Sequence, residues 1–148
     1  MNKKTKILII DDNMAEVILA QEFCRRDKII CDIDSVLSGN DALDYLGGVG
    51  RFEGISPPDI ILLDLNMPDY DGKDLLVMIR KIDAAKDIPI IIYSGSESPK
   101  DFSETRALGA IHYLVKPISL QKMQDMVTYV PPFQINMADD GTYHLCRA

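Results

Sequence analysis

Asp64 closes the apolar run Ile60-Ile61-Leu62-Leu63 and is followed at once by Asn66, Pro68 and the turn Asp71-Gly72. A carboxylate at the mouth of a buried strand sits where open α/β sheets place their chemistry, in the crevice outside the strands' carboxyl ends. Three more runs end in the same manner: Ile7 to Ile10 stops at Asp11-Asp12, Ile88 to Tyr93 at Ser94-Gly95, and Ile111 to Val115 at Lys116-Pro117. Parallel strands would bring the acidic pair, the single Asp, the hydroxyl and the lysine to one edge. Asp11, Asp12 and Asp64 would then be a like-charge cluster, costly unless a cation is bound or a proton taken up. All-oxygen ligation completed by water points to Mg²⁺, with Mn²⁺ as a substitute, and not to zinc. Lys116 supplies a fixed cation that could offset a phosphoryl group carried by the Asp64 carboxylate, Ser94 a hydroxyl donor for the same oxygens, and Gly95 leaves the site open. The plainer alternative is that Asp11-Asp12 only face a helix dipole and Lys116 is a surface residue. Four aligned strand ends weigh against it. No general-base histidine is placed for the task, since His112 falls within the fifth strand and His144 in the tail.

The elements that must position these residues are readable. Apolar runs of four to six residues alternate with helical patterns five times, which predicts a doubly wound parallel sheet with helices on both faces. Asn13 can cap a helix from Met14 to about Arg26, with Glu16 as a capping-box partner and Val17, Phe23 and Cys24 on the buried side. Ile29 to Val36 reads as the second strand. Ser38 opens a helix carrying Ala42, Leu43 and Leu46 that Gly47-Gly48 ends, and Gly47 to Pro58 is a long Gly- and Pro-containing loop. Gly72 precedes a helix with Leu75, Leu76 and Ile79 on one face; Ser98-Pro99 opens another that stops before Gly109. Ser119 caps the last, where Leu120, Met123, Val127 and Val130 keep helical spacing up to Pro131-Pro132. Beyond it, Phe133 to Met137 and Thr142 to Cys146 alternate apolar and polar residues around Ala138-Asp139-Asp140-Gly141, the pattern of a β-hairpin. The expected organisation is one globular domain over residues 1–130 and a C-terminal extension over 131–148.

Composition bounds the function. With 148 residues, 47% hydrophobic and 26% charged, the chain suits one soluble domain, and no apolar run approaches the roughly 20 residues of a membrane span. The basic start, Met1 to Lys6, is followed by too short an apolar run for a signal peptide, so a cytoplasmic location is expected. Cys24, Cys31 and Cys146 lack disulfide or zinc spacing; two buried thiols and one in the tail are expected. The net charge of -7, with no basic cluster beyond Lys3, Lys4 and Lys6, argues against direct nucleic-acid binding.

Taken together, Ile10-Asp11-Asp12, Leu63-Asp64-Leu65-Asn66-Met67-Pro68, Asp71-Gly72, Ser94-Gly95, Gly109-Ala110 and Lys116-Pro117 stand in an order that resembles the response-regulator receiver domains of bacterial two-component signalling, over roughly Lys4 to Val130. The resemblance implies a flavodoxin-like sheet of strand order 2-1-3-4-5 and no enzymatic turnover beyond the domain's own phosphotransfer and dephosphorylation. It implies that Asp64 is the phosphoacceptor, fed by a histidine kinase or phosphotransfer protein. Asp12, Asp64 and the Asn66 carbonyl would hold Mg²⁺, with Asp11 acting through a metal-bound water, and Lys116 would contact the phosphoryl group. Ser94 and Tyr113 would be the switch pair, and the bond before Pro117 would be cis. The face of the fourth helix, fifth strand and fifth helix would meet a partner or a second copy. The long Gly47 to Pro58 loop is similar to that of stand-alone receivers associated with phytochrome kinases. Two other classes compete. An aspartate-nucleophile phosphatase needs a second acid two residues after the nucleophile, where this chain has Asn66. A pseudo-receiver, a binding module without phosphorylation, normally lacks acidic or lysine positions that are all present here.

Overall fold

The computed structural model describes residues 4–148; Met1, Asn2 and Lys3, the start of the basic stretch, lie outside the described residues. The order of elements is β1 (Lys6–Ile10), α1 (Met14–Arg26), β2 (Ile29–Ile30), β3 (Asp32–Val36), α2 (Gly39–Gly47), β4 (Ile60–Leu63), α3 (Gly72–Arg80), β5 (Ile90–Ser94), α4 (Pro99–Ala107), β6 (His112–Val115), α5 (Leu120–Val127), β7 (Phe133–Met137) and β8 (Tyr143–Arg147). The main sheet is parallel with five strands in the order β3-β1-β4-β5-β6, which is the doubly wound pattern 2-1-3-4-5 counted over that sheet alone.

Near-continuous apolar strands are what a sheet covered on both faces requires. Alternate residues feed two cores. Ile7, Ile9, Ile60, Leu62, Ile91 and Tyr93 meet Val17, Ala20 and Cys24 of α1 and Met123 and Met126 of α5 on one face. Leu8, Ile10, Ile61, Leu63 and Ile92 meet Ala42 and Leu46 of α2 and Leu75, Leu76 and Ile79 of α3 on the other. Each fully buried Leu or Ile contributes roughly 1.5–3 kcal/mol, so these strands are stiff supports for whatever stands at their ends.

The second strand departs from the sequence reading. Ile29 to Val36 does not run as one strand: Asp32–Val36 pairs with β1, while Ile29–Ile30 pairs in parallel with β8. The partner that claims Ile29–Ile30 comes from the far end of the chain, so no local pattern announces the break. β7 and β8 pair antiparallel, with Ile135 opposite Leu145, and β2-β8-β7 form a second, three-stranded sheet. Phe133 and Leu145 enter the same core as α1 and α5. The last helix is shorter than its spacing suggests: it stops at Val127, and Tyr129 and Val130 continue in tighter turns, their N–H groups donating to the Met126 and Val127 carbonyls. Glu16 forms no capping box. Asn13 Oδ1 accepts from the Ala15 N–H at 3.0 Å, and the Asn13 N–H donates to Asp11 Oδ1 at 3.0 Å. Of the thiols, Cys24 and Cys146 are buried and Cys31 is half-buried, so the tail thiol is more enclosed than expected.

Leu145 is 1% exposed within the core shared with α1 and α5. Leu145→Ala is expected to lower the unfolding free energy by about 2–5 kcal/mol, measured by urea denaturation. In hydrogen exchange, the Tyr143 amide, which donates to the Lys28 carbonyl at 2.8 Å, is expected to be protected in the wild type and to lose protection in the variant.

Candidate functional site

Register aligns the strand ends. Ile10 pairs with Leu63, Leu63 with Ile92 and Ser94 with Val115. Backbone bonds carry this order past the last strand residues: the Asp64 N–H donates to the Ile10 carbonyl at 2.9 Å, the Asp11 N–H to the Val36 carbonyl at 3.2 Å and the Lys116 N–H to the Ser94 carbonyl at 2.9 Å. Asp11, Asp64, Ser94 and Lys116 therefore emerge side by side.

One oxygen from each of Asp11, Asp12 and Asp64 lies within 4.8 Å of the other two. Mg²⁺–oxygen distances of about 2.1 Å in an octahedron separate two ligands by roughly 3–4.2 Å, so three carboxylates so gathered suit one hard divalent ion. Asp11 is 1% and Asp64 7% exposed, whereas Asp12 faces solvent. Burial pushes the Asp64 carboxyl above its ordinary value of 3.8, and Asp11 and Asp12 push the same way; Lys116 and the Asn66 N–H oppose them without prevailing. Asn66 follows on the loop out of β4, where its N–H reaches Asp64 Oδ1 at 3.3 Å and its backbone bridges to Asp71.

Lys116 is the cation of the site. Its Nζ lies 2.8 Å from Asp11 Oδ2 and 3.7 Å from both Asp64 Oδ2 and Glu16 Oε2, and 5.3 Å from the centre of the Tyr93 ring. Burial works against its charge, but the hydrogen bond to Asp11 and the neighbouring carboxylates raise its pKa on balance. The ammonium thus bonds Asp11, not Asp64, leaving the Asp64 carboxylate without a direct cation bond. The Lys116–Pro117 peptide is cis.

Ser94 is fully buried, and its Oγ accepts the Ser96 N–H at 3.2 Å. Gly95 is exposed with open space where a Cβ would stand. Tyr113 is half-buried; its hydroxyl donates to the Ser96 carbonyl at 2.9 Å and its ring meets Phe102 edge-on at 4.3 Å. Ser94 and Tyr113 are thus joined through Ser96, which the sequence reading passed over. Glu16 and Tyr93 were also missed as site residues: Glu16 read as a cap, and Tyr93 as one more apolar strand residue. Their signal was proximity, Glu16 lying one helical turn past Asp12 and Tyr93 next to Ser94. The histidines stand elsewhere, His112 stacked on Tyr129 at 4.5 Å and His144 beside the Thr142 hydroxyl at 2.9 Å.

The family profile of the response regulator receiver domain matches residues 7–128. The chain belongs to that family. The receiver is similar to the response regulator Rcp1 of Synechocystis sp., 30% identical over 132 residues that span 89% of this chain and 90% of Rcp1. Among solved structures it resembles the phosphorylated cyanobacterial phytochrome response regulator RcpA, with a TM-score of 0.70 at 31% identity over 84% of this chain and 89% of that one. It also resembles the Mn²⁺-bound form of Rcp1, with a TM-score of 0.68 at 30% identity over 83% and 88% of the two chains. Among the described residues, no helix of this receiver is long and apolar enough to cross a membrane.

The raised Asp64 carboxyl has a stability consequence. A carboxyl whose pKa is raised by folding contributes fully below the unfolded value, near 3.8, and that contribution is lost as pH rises through the folded value. Above the folded value the metal-free protein therefore carries the cost of the charge. Asp64→Asn is expected to raise the urea midpoint at pH 7 with a chelator present, and the difference to vanish toward pH 3.

Proposed function

We propose that this receiver is a phosphorylation-activated switch in which Asp64 takes a phosphoryl group from a phosphohistidine with the help of Mg²⁺. The observation that carries the reading is the juxtaposition of a buried, cation-poor Asp64 carboxylate with two further carboxylates and a lysine at one sheet edge. Asp64 is the nucleophile, and a divalent ion held beside it would supply the positive charge that offsets the carboxylates and the phosphoryl oxygens. Asp12, Asp64 and the Asn66 carbonyl would hold the ion, Mg²⁺ or Mn²⁺ in its place, and Asp11 would act through a water bound to it. Lys116 turns from Asp11 to the phosphoryl oxygens once these carry charge, and the Ser94 hydroxyl and Gly95 N–H complete the cradle. Asn66, two residues after the nucleophile, offers no acid for a leaving group, which favours a switch over turnover of external phosphomonoesters.

Recruitment of the Ser94 hydroxyl to the phosphoryl group would break its bond to the Ser96 N–H and disturb the carbonyl that holds Tyr113. The signal then leaves by the face of α4, β6 and α5, where Phe102, Ile111 and Tyr129 are exposed, toward a target protein or a second copy. Likeness to phytochrome response regulators favours a phytochrome-type histidine kinase as donor.

Intact mass after incubation with a phosphoramidate tests the reading. Uptake of one phosphoryl group is expected with Mg²⁺, none with a chelator and none in Asp64→Asn. Lys116→Met is expected to slow uptake by about 10²–10³-fold. Wild-type uptake in Asp64→Asn would sink the assignment. With a beryllofluoride mimic, the Tyr113 side-chain NMR signals are expected to shift.

A further inference from the structure

Three of the groups expected around the metal, Asp11, Asp12 and Asp64, directly follow the ends of stiff strands. Asn66 does not. Its position depends on the loop from Leu65 to Asp71, and that loop is fastened at two places. At its base Asn66 bridges to Asp71, the Gly72 N–H donates to the Leu65 carbonyl at 3.1 Å, and a Cβ on Gly72 would stand 2.5 Å from Leu65 Cα. At its tip the fastening is to a different element. Asp69 accepts the N–H groups of Gly39 at 2.9 Å and Asn40 at 3.1 Å, the first two residues of α2, and the Tyr70 hydroxyl donates to Asn40 Oδ1 at 3.0 Å. The Tyr70 ring lies over Gly39 so closely that a Cβ there would fall 2.1 Å from Cδ2 of the ring. The side-chain cap of the helix is Ser38, whose Oγ accepts the Asp41 N–H at 3.0 Å, so Asp69 bonds the two N–H groups that Ser38 leaves.

We infer that Asp69 and Tyr70, clasped on Gly39 and Asn40 at the start of α2, are positioning residues that hold the Asn66 carbonyl in the metal site. The inference rests on the Mg²⁺ reading above. Groups that orient a metal ligand without touching the ion commonly set affinity by 10–100-fold when removed. A carboxylate on two helix N–H groups is a strong tether, because both bonds are charge-assisted and the helix dipole adds to them. The clasp also explains a glycine where the helix start would accept other residues: only Gly39 lets the ring close over it.

The test separates ligand positioning from plain stability. Mg²⁺ affinity is measured by calorimetry on the unphosphorylated protein, and Mg²⁺ half-saturation and limiting rate are measured for phosphoryl uptake from a phosphoramidate. Asp69→Ala and Gly39→Ala are each expected to weaken Mg²⁺ about tenfold and to raise half-saturation equally, with the rate at saturating Mg²⁺ within about twofold of wild type. Asp69→Asn keeps one acceptor oxygen and Tyr70→Phe keeps the ring; both are expected to retain more affinity than Asp69→Ala. Ser38→Ala removes the cap of α2 without touching the loop, and is expected to lower the melting temperature while leaving Mg²⁺ affinity unchanged. Wild-type Mg²⁺ affinity in folded Asp69→Ala overturns the inference, as does a loss in Ser38→Ala equal to that in Asp69→Ala. A wild-type protein that takes up neither Mg²⁺ nor phosphoryl groups overturns the underlying site reading instead, and the inference with it.

Discussion

Three carboxylates converge within 4.8 Å at one edge of the sheet, and among the described residues one ammonium, that of Lys116, is near enough to answer them. At that range each pair repels by about 1 kcal/mol in water and several-fold more where the site is dry, so the cluster survives because the strands hold it. Asp11 and Asp64 cannot separate without breaking the β1–β4 ladder, whose residues are wholly buried. The hydrophobic interior thus stabilises the fold far in excess of the local electrostatic cost and keeps a site poised for positive charge. Lys116 shares itself unequally, hydrogen-bonded to Asp11 at 2.8 Å and only ion-paired with Asp64 at 3.7 Å. For the proposed phosphoryl transfer that inequality matters, since a nucleophile clamped by an ammonium would be a poor one.

From the same edge a chain of polar contacts runs away from the carboxylates. Ser94 Oγ accepts from Ser96, Ser96 Oγ donates to Asp101 at 2.8 Å, and Asp101 accepts from Lys73 of α3 at 2.9 Å. Lys73 also meets Glu104, and the two acids raise its pKa while it lowers theirs. The Lys73 and Asp101 side chains are 23% and 24% exposed, enough for water to screen the pairs, so each is worth little alone. Their importance is connective: α4 is joined to the site and to α3 by bonds that can be exchanged at small cost.

Legibility followed the range of the interactions. Strand ends, helix caps at Asn13, Ser38, Ser98 and Ser119, and the five-strand parallel sheet are set by local pattern and were readable, because apolar runs and capping residues act within a few positions. The break at Cys31 was not, since β2 leaves the main sheet for a strand more than a hundred residues away. Glu16 misled for a related reason. A glutamate at that position suits a capping box, but Lys116 offers a cation at 3.7 Å and Asp11 already accepts the Asn13 N–H. The connection through Ser96, and the clasp of Asp69 on α2, depend on tertiary approach and have no sequence period to betray them.

The helices differ in how they are held, and the difference locates the compliant part of the molecule. α1, α2, α3 and α5 each send two or more side chains into a core, whereas Thr105 alone is buried among the residues of α4. Moving any of the former opens cavities, at a cost of several kcal/mol. Moving α4 costs the partly exposed ion pairs to Lys73 and the edge contact of Phe102 with Tyr113, while the Thr105 hydrogen bond to Asp101 within its own turn travels with it. Local stability in proteins tracks buried apolar contact, so α4 lies at the low end of this chain's range. A charge change at Asp64 therefore meets the rigid ends of β1, β4 and β5 and, through Ser94 and Ser96, one element that can yield.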